Sequence, residues 1–442
     1  MYRTIYNDLL LWKNSPERKP LMLYGARQVG KTYILKKFGE KEYENLVYIN
    51  CYLNDEIKIL FESTKNVENL ILGLSSIASS PILPKKTLIF LDEVQEVPQI
   101  VGALKYFCED APEINIAVAG SLLGVINLSN TSFPTGKVDI LHLYPMTFIE
   151  FLDAIGEKQK LRLLYNSEAW EVVNSLNTTF ADLLRKYYFV GGMPEAVISF
   201  KKYNDPEKVR TIHNNILAAY EADIAKHSGK DAIKARMIFQ SIPAQLAKEN
   251  RKFLFGALKK GARASDYEYA IQWLADAGLI YKISNLSKVA FPISFYFERN
   301  IFKLFLLDVG LLSTMSKLPP SILLIGDELF SEFKGALTEN YVLTQLVTLS
   351  NPSIGYYAKE RSKIEIDFIL QYKDKIFPIE AKAQENVKAK SLKQFITVDK
   401  ADTGLKGYRF SMKGFKEQDW VVNVPLYAIL PFLKNYDSGE PE

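Results

Sequence analysis

The eight residues Gly25-Ala26-Arg27-Gln28-Val29-Gly30-Lys31-Thr32 constrain this chain more than any other stretch. They satisfy G-x-x-x-x-G-K-[ST] at every fixed position, the spacing of a phosphate-binding loop. Such a loop works only between a buried strand and a helix. Leu21-Met22-Leu23-Tyr24 ahead of it reads as the strand, and Tyr33 to Phe38 behind it as the helix. There the backbone N–H groups from Gly25 to Tyr33 would face phosphate oxygens, where the helix dipole favours negative charge. Lys31 would reach the β- and γ-phosphates, and the Thr32 hydroxyl would join a Mg²⁺ shell.

The usual partner of such a loop follows downstream. Leu88-Ile89-Phe90-Leu91-Asp92-Glu93 is an apolar strand with two carboxylates at its end. Asp92 is expected to hold Mg²⁺ through water, and Glu93 to polarise the attacking water. Either motif alone is common; the two in order, in strand–loop–helix context, predict a chain that binds a nucleoside triphosphate.

With 442 residues the chain exceeds one core and suggests two to four domains. A hydrophobic share of 48% against 24% charged is that of a folded globular protein. Two cysteines, Cys51 and Cys108, make no disulfide framework, and the scattered His142, His213 and His227 match no zinc spacing. Leu9-Leu10-Leu11-Trp12 is too short for a signal peptide, and no apolar run nears the ~20 residues needed to span a bilayer. The expectation is a cytosolic protein with no membrane partner.

Short apolar runs alternate with helical patterns from Leu21 to about Leu143. Leu46 to Asn50, Thr87 to Leu91, Ile116 to Ser121 and Ile140 to Leu143 read as parallel strands. That alternation predicts a doubly wound α/β sheet binding ligands at the carboxyl ends of its strands. From Pro145 to about His227 the pattern is helical, broken by Gly191-Gly192-Met193-Pro194-Glu195, which reads as a hinge or packing turn. A helix from Arg236, the segment Phe253 to Lys260, a helix over Ser265 to Ala277 and a strand from Leu279 to Ile283 follow the winged-helix order. Phe302 to Leu312 is apolar and turned by Asp308-Val309-Gly310. From Glu332 onward the order is helix, a hairpin of Ile364 to Leu370 with Lys375 to Ala381, then helix; Asp437 to Glu442 should fray.

With these motifs in place, the chain resembles the large prokaryotic family of AAA-type P-loop ATPases related to the STAND and Orc-like ATPases, whose members carry a C-terminal domain of uncharacterised function. Further points of likeness are Ala119-Gly120-Ser121, Leu306 to Leu311, Glu339-Asn340 and Ile379-Glu380-Ala381-Lys382. The resemblance implies ATP as the nucleotide, an ATPase core and a winged helix after it. It also gives Ser121 the sensor position, where it either contacts the γ-phosphate or attacking water, or caps the next helix. Relatives place Arg in the segment after this strand, whereas Gly136-Lys137 stands here. Lysine cannot form the planar fork of an arginine finger, so no trans-acting arginine is named.

Ten basic residues lie between Lys226 and Arg263, against Asp231 and Glu249. Arg251, Lys252 and Arg263 are the DNA-contact candidates. A protein-contact module with lysines solvating one face reads equally well. In the last third, Glu339, Asp367, Glu380 and Lys382, followed by a helix carrying Gln394, resemble the order of the PD-(D/E)xK nuclease core. There carboxylates hold a second Mg²⁺ and the lysine orients or activates water. Glu365-Ile366-Asp367 departs from the pattern by lacking the proline before the aspartate.

The expected architecture is α/β: a P-loop parallel-sheet core at 1–155, a helical lid at 156–230, a winged helix at 231–290 and a nuclease-like α/β domain at 291–442. The expected function is an ATP-hydrolysing switch acting on or with DNA. Two alternatives stand beside it: a Mg²⁺-dependent endonuclease gated by ATP, and a regulatory switch that binds protein partners or further copies of itself.

Overall fold

The computed structural model describes residues 1–121, 133–248, 252–320, 331–359, 364–383, 389–400 and 403–435. They group into two compact units. One holds Met1–Tyr144 with Asp276–Gly278, the other Pro145–Ala275 with Leu279–Glu442.

The first unit is built on five parallel strands: β1 (Leu21–Tyr24), β2 (Asn45–Asn50), β3 (Thr87–Asp92), β4 (Asn115–Ala119) and β5 (Asp139–His142). Their order is β2-β3-β4-β1-β5. Every residue of β3 and β4 is buried, as expected for inner strands of a parallel sheet covered on both faces. Helix α1 (Ile5–Asn14) buries Ile5, Leu9 and Trp12, one stripe at helical spacing, and α2 (Lys31–Glu42) follows the phosphate loop directly. On one face, Ile57 and Phe61 of α3 (Asp55–Ser63), Leu70 and Leu74 of α4 (Val67–Ala78) and Leu104 and Phe107 of α5 (Gln99–Asp110) pack over Met22, Val47, Ile89 and Ile116. All five strands expected in this region are present, each within two residues of its expected bounds.

The second unit is helical up to Leu246, then centres on a mixed sheet of eight strands. These are β6 (Ile280–Leu286), β7 (Phe297–Leu306), β8 (Ser353–Lys359), β9 (Ile364–Tyr372), β10 (Lys375–Lys382), β11 (Gly407–Ser411), β12 (Lys416–Glu417) and β13 (Val421–Pro425). The order is β12-β13-β11-β10-β9-β8-β6-β7. The expected hairpin is β9 with β10, and β10 runs parallel to β11 after the short helix Lys390–Gln394. Around the helix Ser331–Leu346 the chain order is therefore helix, three antiparallel strands, helix, parallel strand.

Strand pairing runs across the expected domain boundary at residue 290. The boundary at 290 falls in the loop joining β6 to β7, and β6 also pairs with β8 through Asn285 and Tyr356. The hairpin that would be the wing of a winged helix is thus the edge of the large sheet. Pairing between strands some seventy residues apart leaves no local signature, because period-two alternation is the same whichever strand lies alongside.

The Gly191-Gly192 turn is a packing device. Gly191 has φ +66°, and a Cβ on it would lie 2.2 Å from Asp308 Oδ1. Asp308 accepts hydrogen bonds from Gly192 N at 2.6 Å and Leu311 N at 2.9 Å, capping the helix Val309–Met315. Burial pushes its carboxyl up to about 6, against the pull of backbone N–H groups from Gly192, Leu311 and Gly310. Gly192 O in turn accepts from Met146 N at 2.7 Å. Asn340 serves similarly: its side-chain amide donates to Leu306 O and accepts from Leu306 N. These segments, singled out in the sequence, tie the second unit together.

Candidate nucleotide-binding site

The phosphate loop connects β1 to α2 as its spacing requires. Gly30 precedes the helix with φ +99° and Gln28 has φ +66°, which turns the intervening N–H groups toward a common centre. A Cβ at Gly25 would lie 2.3 Å from the Leu143 carbonyl oxygen, so only glycine fits there.

Lys31 is buried, and its Nζ donates to Gly25 O and Ala26 O at 2.8 Å each. Burial pushes its pKa down to about 8, with the Glu93 and Asp92 charges opposing and Arg27 assisting. A group so poised gains its full charge on meeting an anion.

The Thr32 hydroxyl donates to Asp92 Oδ2 at 2.7 Å, linking the start of α2 to the end of β3 across the intervening β4. Asp92 is buried, which raises its pKa; the Thr32 hydrogen bond pulls it back. Its Oδ1 accepts from Glu93 N at 3.1 Å, and Tyr48 Oη approaches Oδ2 at 3.4 Å. A hydroxyl and a carboxylate from separate elements are the oxygen donors that Mg²⁺ takes, so the pair fits that ion.

Glu93 sits in the left-handed region at φ +55°, an uncommon state for a residue without special freedom. Gln95 Nε2 donates to Glu93 Oε2 at 2.5 Å and holds the carboxylate in one orientation. Ser121 lies two residues past the end of β4 and is half-buried at the same carboxyl edge of the sheet. Tyr33, expected among the loop contacts, is 49% exposed on α2. Lys137 pairs with Glu109 at 2.9 Å on the surface.

Three supporting residues carry no sequence motif. Arg3, buried, donates to Val29 O inside the loop at 2.9 Å and to Tyr144 O at 2.6 Å. Tyr48 and Gln95 brace the two carboxylates. Gln95 follows Glu93 at i+2, and Tyr48 is in β2, in register with Phe90 of β3. Only the pairing of strands reveals the second.

The other expected residues lie in the second unit. Asp367 Oδ2 accepts from Ala381 N at 2.9 Å, and Lys382 Nζ lies 2.7 Å from Glu380 Oε1. In the β9–β10 register Ile379 faces Phe368, which makes Asp367 and Glu380 the next opposed pair, on one face. Burial raises the pKa of Glu380, Lys382 lowers it and Asp367 raises it again. Its Oε2 is buried with no hydrogen-bond partner among the described residues. Glu339 is buried on its own helix. Among the described residues no group of three or more His, Cys, Asp or Glu side chains could hold a metal ion. Of the three expected carboxylates, Asp367 and Glu380 are opposed across the hairpin, and Glu339 lies on the helix Ser331–Leu346. Of the DNA-contact candidates, Arg263 is exposed, Lys252 is half-buried and Arg251 lies outside the described residues.

With this geometry in hand, comparison with known proteins adds a family. Residues 17–152 match the model of an AAA domain. That match, over a loop and strand arranged as above, supports an AAA-type P-loop ATPase in the first unit. Residues 181–321 and 334–428 match two domains of unknown function. No curated protein matches the chain. Among solved structures the chain is similar to the Walker-type ATPase PABY2304 of Pyrococcus abyssi, at 14% identity over 71% of this chain and 95% of that one, with a TM-score of 0.44. It is also similar to the RuvB Holliday junction branch migration motor of Thermotoga maritima, at 15% identity over 63% of this chain and 88% of that one, with a TM-score of 0.29. A third similarity is to the Orc1 protein of Aeropyrum pernix in complex with DNA, at 14% identity over 71% and 91%, with a TM-score of 0.26. No helix among the described residues is long and apolar enough to cross a membrane.

Proposed function

We propose that the chain is a cytosolic ATP-hydrolysing switch that acts on or with DNA. The observation that carries the ATPase part is the Thr32–Asp92 hydrogen bond beside buried Lys31. It gathers a cation's oxygen donors and the phosphate's counter-charge at one strand edge. Lys31 exchanges its two loop carbonyls for the β- and γ-phosphate oxygens of ATP. Thr32 and Asp92 hold Mg²⁺, which when bound neutralises charge building on the phosphates. Glu93, fixed by Gln95, accepts a proton from the attacking water, and Ser121 contacts the γ-phosphate or that water. ATP turnover in the purified chain tests this part: Glu93→Gln should retain nucleotide and lose hydrolysis.

The DNA part rests on exposed Arg263 and on the basic character of the region from Lys226 to Arg263. Retention of a labelled duplex that weakens with added salt tests it, since phosphate contacts release counterions. No retention at low salt would leave the protein-contact switch.

A second reading has its own observation. Asp367, Glu380 and Lys382 share one face of the β9–β10 hairpin, and Glu380 Oε2 is buried without a hydrogen-bond partner among the described residues. Two carboxylates would hold a hard cation, and the adjacent lysine ammonium would orient or activate its water, the chemistry of metal-dependent phosphodiester cleavage. Nicking of supercoiled plasmid in Mg²⁺ or Mn²⁺ that vanishes in Asp367→Ala and in Lys382→Ala would establish it.

A further inference from the structure

The loop between β6 and β7, residues 287–296, is unusually well anchored for a surface turn. Ser287 N donates to Tyr296 O at 2.9 Å, and Ile293 N donates to Gln371 Oε1 at 2.8 Å. Lys400 Nζ donates to Val289 O at 2.7 Å. Val289 and Ile293 are buried in a core shared with Leu392 and Phe395. Despite this anchoring, Phe291 is 56% exposed and Phe295 81% exposed. Every second residue from Val289 to Phe295 thus alternates between core and solvent.

A single exposed apolar side chain is ordinary. Two phenyl rings held outward by one pinned loop are not, because burying them elsewhere would be favourable and the loop forbids it. The charge beside them is positive. Lys288 is in the loop, with its Nζ 5.9 Å from the centre of the Tyr296 ring. Lys400 is fixed to the loop, and its pKa is lowered by burial and by the nearby Lys288 charge, with Asp399 opposing. Two neighbouring ammonium groups that repel each other are relieved by an anion.

We infer that this loop is a binding site for single-stranded nucleic acid, with bases stacking on Phe291 and Phe295 and backbone phosphates held by Lys288 and Lys400. Exposed rings on a loop that also carries Lys288 and holds Lys400 suit unpaired bases, whose own faces are free. A duplex keeps its bases stacked on each other and offers the rings nothing. The inference rests on the nucleic-acid reading above and narrows it to one strand form and one surface, apart from Arg263.

The test is fluorescence anisotropy of the full chain with a labelled oligothymidylate and with a blunt duplex of equal length. The parent chain should bind the single strand more tightly. Phe291→Ala with Phe295→Ala should weaken single-strand binding by about tenfold or more, leaving duplex affinity and the salt slope unchanged. Phe295→Trp should restore most of the loss in the Phe295→Ala variant, because any flat ring stacks. Lys288→Gln should lower the salt slope for the single strand by about 0.7. All these side chains are on the surface, so a melting temperature equal to the parent's confirms that folding is intact. Duplex bound at least as tightly as the single strand would overturn the inference while leaving the DNA reading standing. Binding of neither form would end both. An unchanged single-strand affinity in the double Phe variant would overturn it too, and would mark the rings as a protein or lipid contact.

Discussion

In the first unit Lys31 lies between two carbonyls of its own loop, while in the second Lys382 reaches back two residues to Glu380. Both lysines stand beside buried carboxylates, Asp92 in one case and Glu380 in the other. They differ in what else converges. Around Lys31 the backbone does most of the work: left-handed turns at Gln28 and Gly30 aim consecutive N–H groups, and Thr32 adds a hydroxyl. Around Lys382 everything depends on side chains brought from separate strands. There Asp367 comes from β9, and Glu380 with Lys382 from β10. A site made from contiguous backbone is specified as soon as its strand and helix form. A site made from dispersed side chains can keep its scaffold and lose a member.

The comparison breaks or sharpens under substitution. The largest effect should come from Glu93→Gln. Loss of a positioned proton acceptor should lower the ATP turnover number by about 10²- to 10⁴-fold with nucleotide affinity retained. Turnover at the parent rate would remove Glu93 from the mechanism. Lys31→Ala should weaken ATP binding by at least about a hundredfold, since a buried counter-charge to phosphate is lost; isothermal titration measures it.

Affinity should also depend on pH in a definite sense. Lys31 titrates at about 8 in the free chain, and a bound triphosphate raises that value. Binding therefore takes up a proton once the pH exceeds about 8, and affinity should fall by up to about tenfold per pH unit above it. Below pH 8 this dependence should vanish. A flat profile from pH 7 to 9.5 would show that burial does not depress Lys31.

Smaller effects are expected in the second unit. Glu380 has a raised pKa from burial, so its charge opposes folding once the pH passes its folded value. Glu380→Gln should raise the stability of the chain at pH 7, and the gain should shrink as the pH falls toward 4.5, where the parent carboxyl is neutral as well. Thermal unfolding at both pH values checks this. If the carboxylates bind metal, Mg²⁺ should raise the melting temperature in a Lys31→Ala background and lose that effect when Glu380→Gln is added. The smallest effect should be at Arg3. Arg3→Lys keeps the charge but cannot reach both Val29 O and Tyr144 O, so the ATP KM should rise severalfold with little change in turnover number. A fall in turnover number with KM unchanged would give Arg3 a different role.

How much could be read beforehand follows the same division. Five parallel strands, the loop, and the carboxyl-edge positions of Asp92, Glu93 and Ser121 were legible because period, spacing and glycine placement are local. Arg3 was not, since one arginine before a helix resembles any other until the chain folds back onto Val29. Gln95 closely follows the Asp92-Glu93 pair, yet its hold on Glu93 depends on the left-handed turn at Glu93 itself. Asp308 and Gly191-Gly192 were both noticed, but their partnership spans 116 residues.

The sequence by itself determined that a triphosphate-binding loop lies between a buried strand and a helix, and that a β-hairpin carries Asp367, Glu380 and Lys382. Local steric rules and hydrophobic period suffice for both. Only the tertiary structure decided that the β6–β7 hairpin edges the large sheet, that Asp367 and Glu380 fall opposite each other, and that Phe291 and Phe295 face solvent. Those outcomes depend on which strands pair and which side chains find room in the core, and long-range packing leaves no trace in any short window of sequence.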